Sequence, residues 1–284
     1  MSAGRTPRLA GVIGWPVHHS LSPLMHSYWL KQYDLPGAYV PLPIAPEHFG
    51  RCVAAMPLMG FAGANVTVPH KEAAFALSAT LDDDARATGA VNTLLFEGGA
   101  LHGRNTDVGG FAASLAESLG DGAAKRGPVA VLGAGGAARS VLIALARAGA
   151  SEIRIANRTR ERADNLARAF AQTANIKTIA WGDWATAFAS AKLLVNTTSL
   201  GMTGKAPLEV SLDALPRDAA VADIVYNPLE TALLRAARER GAQTMDGLGM
   251  LMHQAVPAFA AWFGVTPKVT PELREILVKA LPRA

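Results

Sequence analysis

The chain has 284 residues, half of them hydrophobic and 18% charged, with a net charge of +4. That balance fits a globular protein of one or two domains. A single cysteine, Cys52, excludes an internal disulfide framework and a cysteine-rich metal site and suits a reducing cytoplasm; the absence of any apolar run near the roughly 18 residues of a membrane span argues against a membrane partner.

The opening stretch "MSAGRTPRLAGVIGWP" lacks the apolar core of a signal peptide. Leu9 to Gly14 predicts a first strand and Pro23 to Tyr33 a helix. Between them, "HHSLSP" sets Ser20 and Ser22 two residues apart before Pro23. Ser22 with proline behind it reads as a helix N-cap. Two serines beside free helix N–H groups equally make a carboxylate site. "AYVPLPI" predicts the second strand and Ala64 to Val68 the third. On that strand Asn65 and Thr67 share one face and Val66 and Val68 the other, because side chains alternate. Pro69 then opens a helix and puts Lys71 in its first turn, where the dipole disfavours a cation. Asp83 lies in an acidic run, 82–84. Asn92 in "GAVNTL" and Asp107 in "GRNTD" are short polar residues at strand or loop ends, where an Asx-turn is the plain reading.

A Gly-rich polar stretch, 117–128, reads as a linker. After it, "VAVLGAGGAARSVLIALARAGA" is strand, glycine turn, helix. Gly133, Gly135 and Ala138 satisfy G-x-G-x-x-G/A, the pattern that lets backbone amides at a helix N-terminus hold a pyrophosphate. "EIRIAN" ends in "NRTRER" and not in an acid, which would take ribose hydroxyls and repel a 2′-phosphate. Arg158 and Arg162 can pair with that phosphate, so the pattern points to NADP over NAD. The 16 basic residues against 12 acidic ones over 108–242 suit a small polyanion and are too scattered for nucleic acid. "TIAW", "LLVNTT" and "AVADIVY" predict three more apolar strands; strands of this kind alternating with helices predict a parallel sheet covered on both faces. Asp223 falls inside the last of them and needs a partner if buried, and Tyr226 closes it. Helices follow from Gly249 to Phe263, carrying Gln254, and from Pro271 to Lys279.

Together "GWPVHHSLSP", "GANVTVPHK", "GAVNTL", "GRNTD", "LGAGGAAR", "NRT", "NTTSLGM", "DIVYNP" and "GLGMLMHQA" closely resemble the shikimate dehydrogenase family, in the family's order and over most of the chain. The resemblance implies an α/β fold of two domains: a substrate-binding domain from 1–107 plus 243–284, and a Rossmann-type doubly wound NADP-binding domain over 108–242, with the active site in the cleft. It implies NADPH-dependent reduction of 3-dehydroshikimate to shikimate, with no metal. Lys71 and Asp107 would be the catalytic pair. Ser20 and Ser22 would hold the substrate carboxylate, and Asn65, Thr67, Asn92, Tyr226 and Gln254 would surround the ring. Gly133, Ala134, Gly135, Gly136 and Ala137 would hold the pyrophosphate, and Asn157, Arg158, Thr159 and Arg162 the 2′-phosphate. Ile224 and Gly247 would lie by the nicotinamide, and Asp83 matches a minor cofactor contact. A cytoplasmic monomer or homodimer is expected. Ser27, where the family usually has asparagine, and "NTDVGGF", which lacks a glycine commonly found after the aspartate, depart from the pattern. The first affects packing, and the second leaves a broader quinate/shikimate dehydrogenase as an alternative; a non-catalytic NADP sensor built on the same fold is a remote one.

Overall fold

The computed structural model describes residues 6–282. The outermost ends of the two segments assigned to the substrate domain, and the first residues of the stretch read for a signal peptide, lie outside them. The described chain divides into two compact units. Among the described residues no helix is long and apolar enough to cross a membrane.

The first unit runs to Thr106 and takes in Gln254–Ala280. In chain order it begins with β1 (Arg8–Gly14), α1 (Ser22–Gln32), β2 (Gly37–Pro43), α2 (Phe49–Ala55) and β3 (Phe61–Val66). It continues with α3 (Lys71–Leu77), β4 (Thr80–Leu81), α4 (Asp83–Thr88), β5 (Thr93–Glu97) and β6 (Ala100–Arg104). The six strands form one mixed sheet in the order β2-β1-β3-β5-β6-β4. β1 is parallel to both β2 and β3, and β5 runs antiparallel to β3, with Asn65 opposite Thr93. Apolar side chains on one face of the sheet (Ile13, Ala64, Val66, Leu94) pack with Val53 of α2, Ala74 of α3 and Ala85 of α4.

The second unit begins with α5 (Asp107–Leu119), β7 (Val129–Leu132), α6 (Gly136–Arg147), β8 (Ile153–Asn157), α7 (Arg160–Ala169) and β9 (Ile176–Ala180). Then come α8 (Trp184–Phe188), β10 (Leu193–Asn196), β11 (Ala220–Asp223), α9 (Ala232–Glu239), β12 (Thr244–Met245) and the start of α10 (Gly247–Phe263), which belongs to the first unit from Gln254 on. Its six strands are all parallel, in the order β12-β11-β10-β7-β8-β9. This is the doubly wound arrangement, whose direction reverses between β7 and β10. The alternation along each strand shows in the core: Val129 and Val131 face the layer holding α5, α6 and α7, whereas Ala130 and Leu132 face the layer holding Phe188, Leu233 and Leu234. The last helix, α11 (Pro271–Ala280), returns to the first unit.

The predicted boundaries and the observed division differ in their details. The linker-like 117–128 lies inside the second unit, residues 117–119 closing α5 and the rest leading to β7, because α5 packs on α6 with Val108, Phe111 and Leu115 in the second unit's core. Asp107 and residues 243–253, assigned by resemblance to the substrate domain, fall in the second unit. There β12 pairs with β11 and Met245 joins the core.

Three local readings change as well. β3 stops at Val66, so Thr67 lies beyond it, and Val68 is 69% exposed instead of anchoring a buried face. Ser22 is the first residue of α1, not its cap: Leu21 holds that position, and no side chain caps the helix. β11 ends at Asp223, which leaves Tyr226 in the following loop; the Asp223 Oδ1 accepts the Val225 N–H at 3.0 Å and turns the chain out of the strand.

Candidate functional site

In the first unit the ends of β1 and β3 meet. Ile13 near the end of β1 is paired with Val66 at the end of β3, and Thr67 N–H continues that pairing onto Ile13 O at 2.8 Å. From β1 the chain passes through Ser20, whose Oγ accepts the Ser22 N–H at 3.3 Å. From β3 it passes through Thr67 to Lys71, which stands in the first turn of α3 as expected, although the helix starts at Lys71 itself and Pro69 lies before it and does not open it. Thr67 sits so close over Gly14 that a Cβ there would lie 2.6 Å from its methyl group.

Behind Lys71, His70 is buried; its ring stacks on Phe49 (centroids 4.6 Å apart) and its Nε2 lies 2.8 Å from Ile44 O. Burial holds its pKa below the ordinary value, although the Ile44 carbonyl opposes the shift.

A buried network joins Asn65, Asn92 and Gln254. Asn65 Nδ2 donates to Asn92 O at 3.2 Å and to Thr93 Oγ1 at 3.1 Å. Asn92 Oδ1 accepts from Thr106 N at 2.8 Å and from Thr93 Oγ1 at 3.1 Å. Its Nδ2 donates to Thr106 Oγ1 at 2.9 Å and to Gln254 Oε1 at 3.3 Å. Gln254 is therefore an interior residue (8% exposed) and not a solvent-facing one. Every member is a neutral amide or hydroxyl, a set that recognises hydroxyl groups by exchange of hydrogen bonds. Asp83 stands apart, exposed on α4 and paired with Arg86 at 2.7 Å, while its neighbour Asp82 caps that helix through Ala85 N at 2.7 Å.

In the second unit the glycine loop follows β7 at the point where strand order reverses. Gly133 has φ +106°, and a Cβ there would lie 2.8 Å from Thr197 Oγ1. A Cβ on Gly135 or Gly136 would meet nothing within 4 Å, and no side chain caps α6. The first amides of α6 thus face open space, the condition a pyrophosphate requires. Asn157 Oδ1 accepts Ala134 N–H at 3.2 Å and its Nδ2 donates to Thr159 O at 2.8 Å, so it ties the glycine loop to the end of β8. Arg158 and Arg162 are exposed there, and Thr159 is the N-cap residue of α7. Thr197 Oγ1 donates to Leu132 O at 2.8 Å and closes the loop from behind.

Asp223 is fully buried. Its carboxylate accepts from Asn196 Nδ2 (2.9 Å), Val225 N (3.0 Å) and Thr231 Oγ1 (2.8 Å). Burial pushes its pKa up to about 6 despite those three donors. The knot fixes the loop carrying Ile224 and Tyr226. Gly247 packs against that loop: a Cβ on Gly247 would lie 2.1 Å from Ile224 O, so only glycine fits. Asp107 is buried at the start of α5.

The sequence reading missed Tyr39, Thr93, Thr106, Asn196 and Thr197. Thr93 and Thr106 adjoin Asn92 and Asp107, and Asn196 and Thr197 open the motif "NTTSLGM", so the motifs themselves carried the signal. Tyr39 has no such signal, since an aromatic in a strand reads as core.

Residues 12–94 match the family profile described as shikimate dehydrogenase substrate binding domain, and 114–203 match shikimate / quinate 5-dehydrogenase. The chain is 53% identical over 272 residues to a shikimate dehydrogenase (NADP(+)) of Paramagnetospirillum magneticum, covering 95% of this chain and 98% of that one. Among solved structures it is similar to shikimate 5-dehydrogenase of Thermus thermophilus in complex with NADP(H) and shikimate, with TM-score 0.86, 36% identity, and 96% and 100% coverage. It is also similar to quinate dehydrogenase of Corynebacterium glutamicum in complex with NAD, with TM-score 0.89, 31% identity, and 96% and 100% coverage.

Proposed function

The chain belongs to the shikimate dehydrogenase family, and from that premise we propose that it interconverts 3-dehydroshikimate and shikimate with NADP(H). The observation that carries the reading is the buried network of amides and hydroxyls around Asn65, Asn92 and Gln254, in the same unit as the serine pair and Lys71. That chemistry suits a small carboxylate bearing several hydroxyls.

Bound NADPH supplies the hydride. Gly133 to Ala137 would hold its pyrophosphate on the amides of α6, Asn157, Arg158, Thr159 and Arg162 its 2′-phosphate, and Ile224 and Gly247 its nicotinamide end. Ser20 and Ser22 take the substrate carboxylate, supported by the Ser22 hydroxyl not being spent on capping α1. Thr67, Asn65, Asn92, Tyr226 and Gln254 orient the ring. Lys71, as an ammonium, stabilises the growing alkoxide and gives its proton to the former carbonyl oxygen; in reverse, as the amine, it takes that proton from the hydroxyl. Asp107 is its catalytic partner and orients the reacting hydroxyl.

The likeness to a quinate dehydrogenase keeps one second reading, broader quinate and NAD use. One assay separates the two: the purified protein with shikimate or quinate and NADP or NAD, followed at the absorbance of the reduced nicotinamide. Shikimate with NADP is expected to dominate kcat/KM. Quinate oxidation with NAD at a comparable rate overturns that assignment.

A further inference from the structure

At the centre of the first unit's polar network stands Tyr39, to which none of the roles above is given. It lies on β2, an edge strand, yet is only 4% exposed. Its ring stacks on the His26 imidazole, with centroids 3.9 Å apart and planes 6° from parallel. His26 is fully buried among Trp29, Phe259 and Trp262, and neither ring nitrogen has a hydrogen-bond partner among the described residues. It serves as a neutral flat platform.

The Tyr39 hydroxyl donates to Asn65 Oδ1 at 2.7 Å. The orientation of that amide is forced. Asn92 O can only accept, so the Asn65 nitrogen must face it, and the oxygen must face Tyr39. Both N–H bonds of Asn65 are then committed, to Asn92 O and Thr93 Oγ1. What Asn65 retains is one lone pair on Oδ1.

We propose that Tyr39 is a positioning residue for substrate binding, its hydroxyl holding the Asn65 amide in one orientation and leaving Asn65 able only to accept. Asn65 in that state selects a hydroxyl, which donates, over a keto or ether oxygen, which cannot. The inference rests on the shikimate reading and deepens it, by naming a residue that sets how the site reads the substrate without touching it.

Tyr39→Phe in the full chain keeps the ring on His26 and removes only the oxygen. The shikimate KM is expected to rise about ten-fold, with kcat within about three-fold and the NADP KM within about two-fold of wild type. A purely structural role would not produce that split. Asn65→Ala should give the same selective rise, and the double variant should be no worse than about two-fold beyond the worse single. A folded Tyr39→Phe protein with unchanged shikimate KM, or additive effects in the double variant, overturns the proposal. Should circular dichroism show Tyr39→Phe unfolded, Asn65→Ala decides: a selective rise in shikimate KM supports the coupling, an unchanged value sinks it. Wild-type protein that fails to oxidise shikimate with NADP overturns the functional reading and this inference with it, an outcome distinct from failure of the variants alone.

Discussion

Single residues carry the sharpest predictions. Lys71→Ala should lower kcat by about 10²- to 10⁴-fold with little change in shikimate KM, as loss of an acid–base group that acts in the transition state requires. A stopped assay at saturating shikimate checks it, and near-normal kcat would remove Lys71 from the mechanism. Arg158→Ala should raise the NADP KM by about ten-fold or more and leave the NAD KM nearly unchanged, because only the 2′-phosphate distinguishes the two. His26 gives a prediction in pH. Burial lowers its pKa from 6.5 to about 3. The unfolded chain therefore binds a proton that the folded chain refuses between those values. Its contribution is complete above about pH 6.5 and falls by roughly 1.4 kcal/mol for each pH unit below that, until near pH 3. His26→Phe should flatten this acid loss in urea titrations at pH 4 to 7; an unchanged slope would show that the ring is protonated in the fold.

At the scale of elements, the ends of strands decide more than their middles. Apolar alternation and the G-x-G-x-x-A pattern made β7 and α6 legible, because each residue there answers to local backbone geometry. β11 was read too long, since "AVADIVY" is apolar on both sides of Asp223 and nothing local reveals that Asp223 accepts the Val225 amide. β12 was missed because two residues have no periodicity; it exists through its pairing with β11. The same limit hid Tyr39, whose partner Asn65 is 26 residues away. The Asp223 knot is itself testable. Its raised pKa means that the folded state holds a proton more tightly than the unfolded one, so its share of stability is greatest below about pH 4 and is lost as pH rises through about 6. Asp223→Asn keeps one oxygen for Val225 and Asn196 and can donate to Thr231. Relative to it, the wild type should lose stability from pH 4 to pH 7. A difference that stays constant over that range would exclude titration of Asp223.

For the whole molecule, the chain order has a physical cost. The first unit is completed only by residues that arrive after the second has been traversed. Arg8 donates to Trp262 O at 2.8 Å, Trp262 Nε1 to Leu94 O at 3.0 Å, and Trp29 Nε1 to Lys268 O at 3.2 Å. Leu273 and Leu277 of α11 are fully buried. Deleting residues 265–284 should therefore lower the melting temperature of the first unit by many degrees, because it strips apolar cover and leaves the Trp29 indole N–H without its acceptor. A truncated protein that melts like the full chain would show α11 to be dispensable.

Those indoles have an optical consequence. Trp29 and Trp262 are fully buried in the first unit, while Trp181 and Trp184 are partly buried in the second, against one another at 5.1 Å. Emission from the first pair should be blue-shifted and hidden from iodide, and that of the second pair redder and quenchable. Replacing Trp181 and Trp184 by phenylalanine, together with the half-exposed Trp15, would leave a protein whose fluorescence follows the first unit alone, so that the melting of its two-segment core can be watched by itself.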